Sequence, residues 1–189
     1  MTSNRYLQVS GLFLCLSAFC FLADTTLDAY LPAISPGIGA FVAVCGLAGF
    51  PGFWSSLGPR MHQPLGLAAY FLVMLGLAGL VVVMFLFNRV TPDLTPEETG
   101  RLLTVITPEL TAIVLLFAVS ALVLAAALWP MQGALRYSGL AYAAGAVLVA
   151  ATPALPEWLT VVAALLVSGA LLAWGVRLLP RDAVPAVAI

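Results

Sequence analysis

The chain has 189 residues, 63% of them hydrophobic and only 8% charged, with a mean hydropathy of +1.12 and a formal net charge of −1. A soluble domain carries about 25% charged residues, so this composition cannot clothe a water-exposed surface and excludes a soluble globular fold. The seven basic residues are all arginine and none are clustered, which leaves no footprint for nucleic acid or for a polybasic lipid site.

Apolar runs of roughly 20 residues mark membrane spans, and six are predicted, at 6–27, 35–56, 64–88, 108–129, 135–153 and 157–178. The expected fold class is all-α, a polytopic bundle of six transmembrane helices forming one domain over 1–189. The first run resembles neither kind of cleaved leader. Phe21 stands where a signal peptidase needs a small residue, and Phe19 interrupts the lipoprotein-like "LSAFC". It is expected to be a retained span.

From Tyr6 to Ala23 a helix rises about 27 Å, nearly the full hydrocarbon thickness. Asp24 is therefore expected at the outer edge of the core and Asp28 one turn beyond it. Ser10, Ser17, Cys20, Asp24 and Asp28 share an arc of about 100° on a helical wheel, and such a polar stripe should face the bundle. One reading is an outward-facing polar vestibule comprising Asp24, Asp28, Ser17 and Cys20, with Arg89 at similar depth as the partner of Asp24. The other is helix packing by small polar residues, with two interfacial carboxylates.

The second run carries glycine at 37, 39, 46, 49 and 52, and Pro51 is expected to kink it. After the third run comes the longest polar segment, 88–110. Thr95-Pro96-Glu97-Glu98 is a capping box with proline at the first helical position, predicting a short outer helix over 96–105. Leu102, Leu103 and Ile106 give that helix an apolar face for the membrane surface. Thr107-Pro108-Glu109 repeats the start signal and is expected to open the fourth span, with Glu109 favoured by the dipole of a first turn.

Small residues four apart let helix backbones approach closely. Gly39 with Ala43 and Gly46, Gly139 with Ala143, and Ala164 with Ser168 are the packing candidates, for neighbours in the bundle, a protein partner or a homo-oligomer. "LFLCLSAFCFLA" against "LLFAVSALVLAA" leaves a three-plus-three inverted repeat open.

Arginine placement sets orientation. With the N-terminus inside, Arg5, Arg60, Arg136, Arg177 and Arg181 fall inside and only Arg89 and Arg101 outside. Trp54, Trp129, Trp174 and Trp158 fall at span ends, as headgroup-level indoles should. The back half, "RYSGLAYAAGAVLVAATPALPEWLTVVAALLVSGALLAWGVRLLPR", with "GLAAYFLVMLGLAGLVVVMFLF", resembles the diffuse group of bacterial six-span integral membrane families of unknown function. That resemblance implies a multi-pass protein of the bacterial plasma membrane, and it brings no activity or site residue with it.

Reactive constellations are missing from the letters. The three cysteines, Cys15, Cys20 and Cys45, form no metal or redox spacing. His62 is the one histidine, in a loop, and Ser55 and Ser56 read as loop serines. No metal, cofactor or catalytic residue is assigned. No span has an ionisable residue at its centre, where ion-coupled transporters keep one. The leading expectation is a non-catalytic accessory or scaffolding subunit, or a binder of lipophilic molecules, in contact with the bilayer and not with nucleic acid. The rivals are a small-solute or lipophile transporter with a vestibule at Asp24 and Asp28, and a membrane-embedded enzyme acting on lipid or isoprenoid.

Both termini and the loop carrying Arg60 and His62 are expected in the cytoplasm. Topology reporters fused at residues 62, 98 and 189 check this; an extracytoplasmic signal at 62 or 189, or a cytoplasmic one at 98, overturns the span count.

Overall fold

Each of the six apolar runs folds as helix in the computed structural model, which describes residues 2–30 and 37–179. The helices are α1 (Thr2–Tyr30), α2 (Val42–Ser56), α3 (Pro64–Phe85), α4 (Pro96–Leu128), α5 (Ala134–Ala151) and α6 (Glu157–Leu178). A 3-10 turn, Ile38–Phe41, leads into α2, and a π-helical turn, Leu86–Val90, continues α3. Residues 35 and 36 of the predicted second span, and Arg181 and Asp182, lie outside the described residues. All six helical stretches are long and apolar enough to cross a membrane. This is the all-α, multi-pass helix bundle expected from composition.

Short connections make sequential helices antiparallel neighbours. Here α1 packs on α2, α2 on α3, α3 on α4, α4 on α5 and α5 on α6, and α6 closes back onto α1. The result is a ring of six helices in chain order. One end carries Asp24, Gly37, Asn88 and Pro96, and is called the Asp24 end below. The other carries Met61, Trp129 and Leu178, and is called the Met61 end.

Lipid tails are as apolar as leucine, so helices in a membrane associate by close packing and by hydrogen bonds across the interface. Helix α1 uses both. A Cβ on Gly11 would stand 2.7 Å from the Gly175 carbonyl oxygen, and a Cβ on Gly175 would stand 2.7 Å from that of Gly11. On its other flank, a Cβ on Gly49 would meet the Ser10 carbonyl oxygen at 2.8 Å. Ser17 Oγ donates to the Val42 carbonyl of α2 at 2.8 Å, and Ser168 Oγ of α6 donates to the Ala18 carbonyl of α1 at 2.9 Å. Gly39, Ala43, Gly46, Gly139, Ala143, Ala164 and Ser168 are all buried inside this one chain.

Three expectations need correction. The outer helix and the fourth span are one continuous 33-residue helix with Pro108 inside it, and its Thr95–Glu98 capping box is formed as expected. Proline removes one backbone bond, whereas ending one helix and starting another would orphan several carbonyls and N–H groups. Thr107 Oγ1 also donates to the Leu103 carbonyl at 2.5 Å, bracing the turn around the proline. Glu109 consequently lies within the helix, exposed, and not in a first turn.

The tryptophans divide. Trp129 and Trp158 are exposed, but Trp54 and Trp174 belong to the core. Trp174 stacks on Phe53 at 4.4 Å between centroids and donates its indole N–H to Ser138 Oγ at 2.8 Å. An indole that finds an internal acceptor no longer needs the headgroup layer. The serines aligned by the suspected repeat also differ, since Ser17 bonds to α2 while Ser120 bonds to Phe117 of its own helix.

Gly175→Val should lower the unfolding midpoint in detergent by the equivalent of about 1–3 kcal/mol, the usual cost of overpacking. Gly169, also in α6, has open space around its Cβ position, so Gly169→Ala should leave the midpoint unchanged or raise it. Equal effects of the two variants would refute the α1–α6 backbone contact.

Candidate functional site

The polar stripe of α1 faces α2. Ser10 lies against Gly49 and Gly52, Ser17 bonds to Val42, and Asp24 reaches Gly39. Cys20 is buried on the same stretch of helix, and Asp28, one turn on, is exposed. Ser10, Ser17, Cys20 and Asp24 are thus buried within the bundle, whereas Asp28 is not.

Asp24 explains itself through the start of the second span. Gly37 is the residue before the first helical turn, in the left-handed conformation (φ 61°), and has no side chain with which to cap. Helix α2 with its leading turn would otherwise begin with orphan N–H groups at the edge of hydrocarbon. The Asp24 carboxylate, 7% exposed, supplies the missing acceptor from the neighbouring helix, taking the Gly39 N–H on Oδ1 at 2.8 Å. That is the bond a capping side chain ordinarily makes two residues into a helix, and a negative charge there also suits the helix dipole.

A side chain at 39 would have to displace the capping carboxylate and the Asn88 amide. A Cβ would come within 2.6 Å of Asp24 Cγ and 2.8 Å of Asn88 Nδ2. Asn88 sits in the π-helical turn after α3 and donates to the Met84 carbonyl at 2.9 Å. Sequence reading singled out Arg89 as the partner of Asp24, but the ion pair does not form. Arg89 is exposed, with its guanidinium carbon 3.6 Å from the Cβ position of Gly37. Among the described residues the ion pair present is Arg101–Glu97, on the surface of α4. The backbone N–H of Gly39 is the nearer donor, and a neutral backbone partner is invisible to charge matching in a sequence. At the other end of α2, Ser55 and Ser56 donate to the Gly52 and Phe53 carbonyls, and His62 is exposed.

Two hollows lie beside this scaffold. A central cavity of about 30 Å³ is bounded by all six helices, through residues such as Ser17, Gly46, Leu77, Phe117, Tyr142 and Val167. Its lining holds no charged side chain. A groove of about 390 Å³ opens between α3, α4 and α5 toward the Asp24 end, walled by Leu103, Thr107, Thr111, Leu115, Val149 and Pro153 among others. Val149 forms part of both. Leu103, from the expected surface face of 96–105, lines this groove. Asp24 lines neither hollow.

No protein family, curated protein or solved structure matches this chain. The site must therefore be read from its own chemistry. Residues that sequence reasoning passed over are Asn88, Val149 and Tyr142; the only signal for Asn88 was a lone amide at the end of an apolar run.

Asp24→Ala leaves the Gly39 N–H without its acceptor and should destabilise by about 1–2 kcal/mol, as lost caps do. Asp24→Asn keeps an oxygen in place and should lose much less. Denaturant or thermal unfolding of the two variants in detergent checks the ranking, and equal losses would mean that charge, not capping, is what Asp24 contributes.

Proposed function

We propose that this chain is a non-catalytic membrane protein that takes a lipophilic chain out of the bilayer into the groove between α4 and α5. In this reading it sits in a bacterial plasma membrane with both termini cytoplasmic, as its arginine distribution and its resemblance to small six-span families suggest. The observation that carries the reading is a lateral groove of about 390 Å³ whose wall includes Val149, a residue that also lines the central cavity. The groove is lined by carbon and by threonines, and the cavity at the centre of the bundle holds no charged side chain.

Most of the groove's threonine hydroxyls are engaged within their own helices. Of the three that line it, Thr107 donates to Leu103 and Thr152 donates to Val149 at 2.8 Å, so two of the protons are already used within the helices. Small-molecule sites are concave and mostly apolar with few polar groups, and a groove opening sideways is reached from the lipid without crossing water. The capping role of Asp24 weighs against the rival vestibule, since its carboxylate is engaged by Gly39 and borders neither hollow.

A diazirine-bearing fatty acid, photolysed with the protein in vesicles, tests the proposal. Labelling should concentrate several-fold on Thr111 and Leu115 relative to Leu75 and Val82, which are exposed on α3. Uniform labelling of the two sets would refute it.

A further inference from the structure

A separate hollow at the Met61 end has a cation in its wall. It holds about 560 Å³ between α5 and α6, bounded by Ala134 and Ser138 of α5 and by Ala173, Trp174, Val176 and Arg177 of α6. That volume falls within the range of about 300–1,000 Å³ usual for small-molecule sites. The inner wall is already satisfied. Trp174 is buried and donates to Ser138 Oγ at 2.8 Å, and Ser138 donates in turn to the Leu135 carbonyl at 3.1 Å. Arg177 is exposed, in the last turn of α6, and is the one charged residue in the lining. Ala173 and Val176, which precede it within the span, are exposed as well, so the hollow is reached from the side of the bundle.

The two ends of the bundle differ in sign. Among the described residues the Met61 end carries Arg5, Arg136 and Arg177 and no acid, whereas the aspartates and glutamates fall toward the Asp24 end. Arg136 is engaged with the Trp129 carbonyl and ring. Arg177 lines the hollow.

We propose that this hollow holds the headgroup of an anionic phospholipid of the phosphatidylglycerol type, with its phosphodiester on the Arg177 guanidinium. A guanidinium matches phosphate with its planar fork of donors and is weakly hydrated, which suits an interfacial pocket. Pockets between helices at a membrane face hold lipid headgroups in this way, and here a single arginine in a hollow takes the place of a basic cluster. Charge selects the head. A choline group would bring its ammonium among arginines, whereas a glycerol group adds no cation. An acyl chain would run from the hollow along α6 past Val176, Ala173 and Gly169, which has open space at its Cβ position. The site stands apart from the groove at the Asp24 end and does not depend on what that groove binds.

The probe is phosphatidylglycerol with a diazirine at the start of one acyl chain, compared with phosphatidylcholine bearing the same chain. Each is photolysed with the full chain in mixed phosphatidylcholine and phosphatidylglycerol vesicles, and labelled residues are read by mass spectrometry. Leu67 is the reference, being exposed at the same end and outside the hollow. Relative to it, Ala173 and Val176 should favour phosphatidylglycerol about fivefold, the worth of one arginine near an anionic surface. Arg177→Gln should reduce that preference to the level of Leu67. Arg5→Gln removes an equal charge from an exposed position at the same end and should leave the preference intact. Ala134→Trp keeps Arg177 but fills the hollow, and should remove the preference.

Equal preference at Ala173, Val176 and Leu67 in the unsubstituted protein would overturn the proposal, since bulk attraction to that leaflet gives the same result. So would a preference that survives Arg177→Gln, or one that Arg5→Gln lowers as much. Labelling of Ala173 and Val176 by neither lipid, as a protein segment or second copy seated there would cause, also overturns it. Should Arg177→Gln fail to fold, an undiminished preference in Ala134→Trp decides against the site.

Discussion

Inside hydrocarbon a backbone N–H or C=O has no water to turn to, and each must find its partner within the protein. The local departures from plain helix in this bundle are arranged around that constraint. The second span begins with glycine and a 3-10 turn, so its first N–H groups lack a local cap, and Asp24 on α1 reaches across to take one of them. Pro108 removes a bond within α4, yet the helix continues, because two new termini would expose far more. Ser17 and Ser168 share carbonyls that their own helices already use, adding hydrogen bonds between α1 and its two neighbours.

Close packing follows from the same setting. With no hydrophobic driving force between helices, contact has to be intimate to be favourable. Helix α1 therefore lies with its backbone against Gly175 on one side and Gly49 on the other. The aromatic side chains fill the space near the Met61 end, where Phe50, Phe53, Trp54, Tyr70, Tyr142 and Trp174 contact one another in a connected cluster. Toward the Asp24 end the helices are held by a capped turn instead, and it is there that the lateral groove opens.

Hollows open at both ends, the lateral groove beside α4 and α5 at the Asp24 end and one of about 560 Å³ between α5 and α6 at the Met61 end, walled by Ser138, Trp174 and Arg177 among others. Charge plays little part. Arg101–Glu97 is an exposed pair four residues apart on one helix, the kind worth about 0.3–0.5 kcal/mol. Arg136 lies over the Trp129 ring at 4.8 Å and donates to the Trp129 carbonyl at 2.8 Å, closing the turn between α4 and α5. Polar atoms in the interior act singly, Asp24 as a cap and Ser17 and Ser168 as donors to carbonyls.

Hydrophobic run length was enough to determine the class, the number of helices and most of their ends, because a helix must contain its own backbone bonds in lipid and must be long enough to cross it. The sixth helix, predicted at 157–178, is Glu157–Leu178, and the capping box at Thr95 could be read directly because its partners are three residues apart. The polar stripe on α1 was legible too, since helical periodicity alone places Ser10, Ser17, Cys20 and Asp24 on one side. What each stripe residue touches was not legible. Asp24 meets a backbone N–H fifteen positions away, and a backbone group has no letter. The Gly11–Gly175 contact, the burial of Trp174 and the place of Val149 in the lining of both groove and cavity depend on α6 closing the ring onto α1 and on helices distant in sequence sharing one space. Only the tertiary structure decides those, because Leu/Ala/Gly helices look alike on every face until their neighbours are in place.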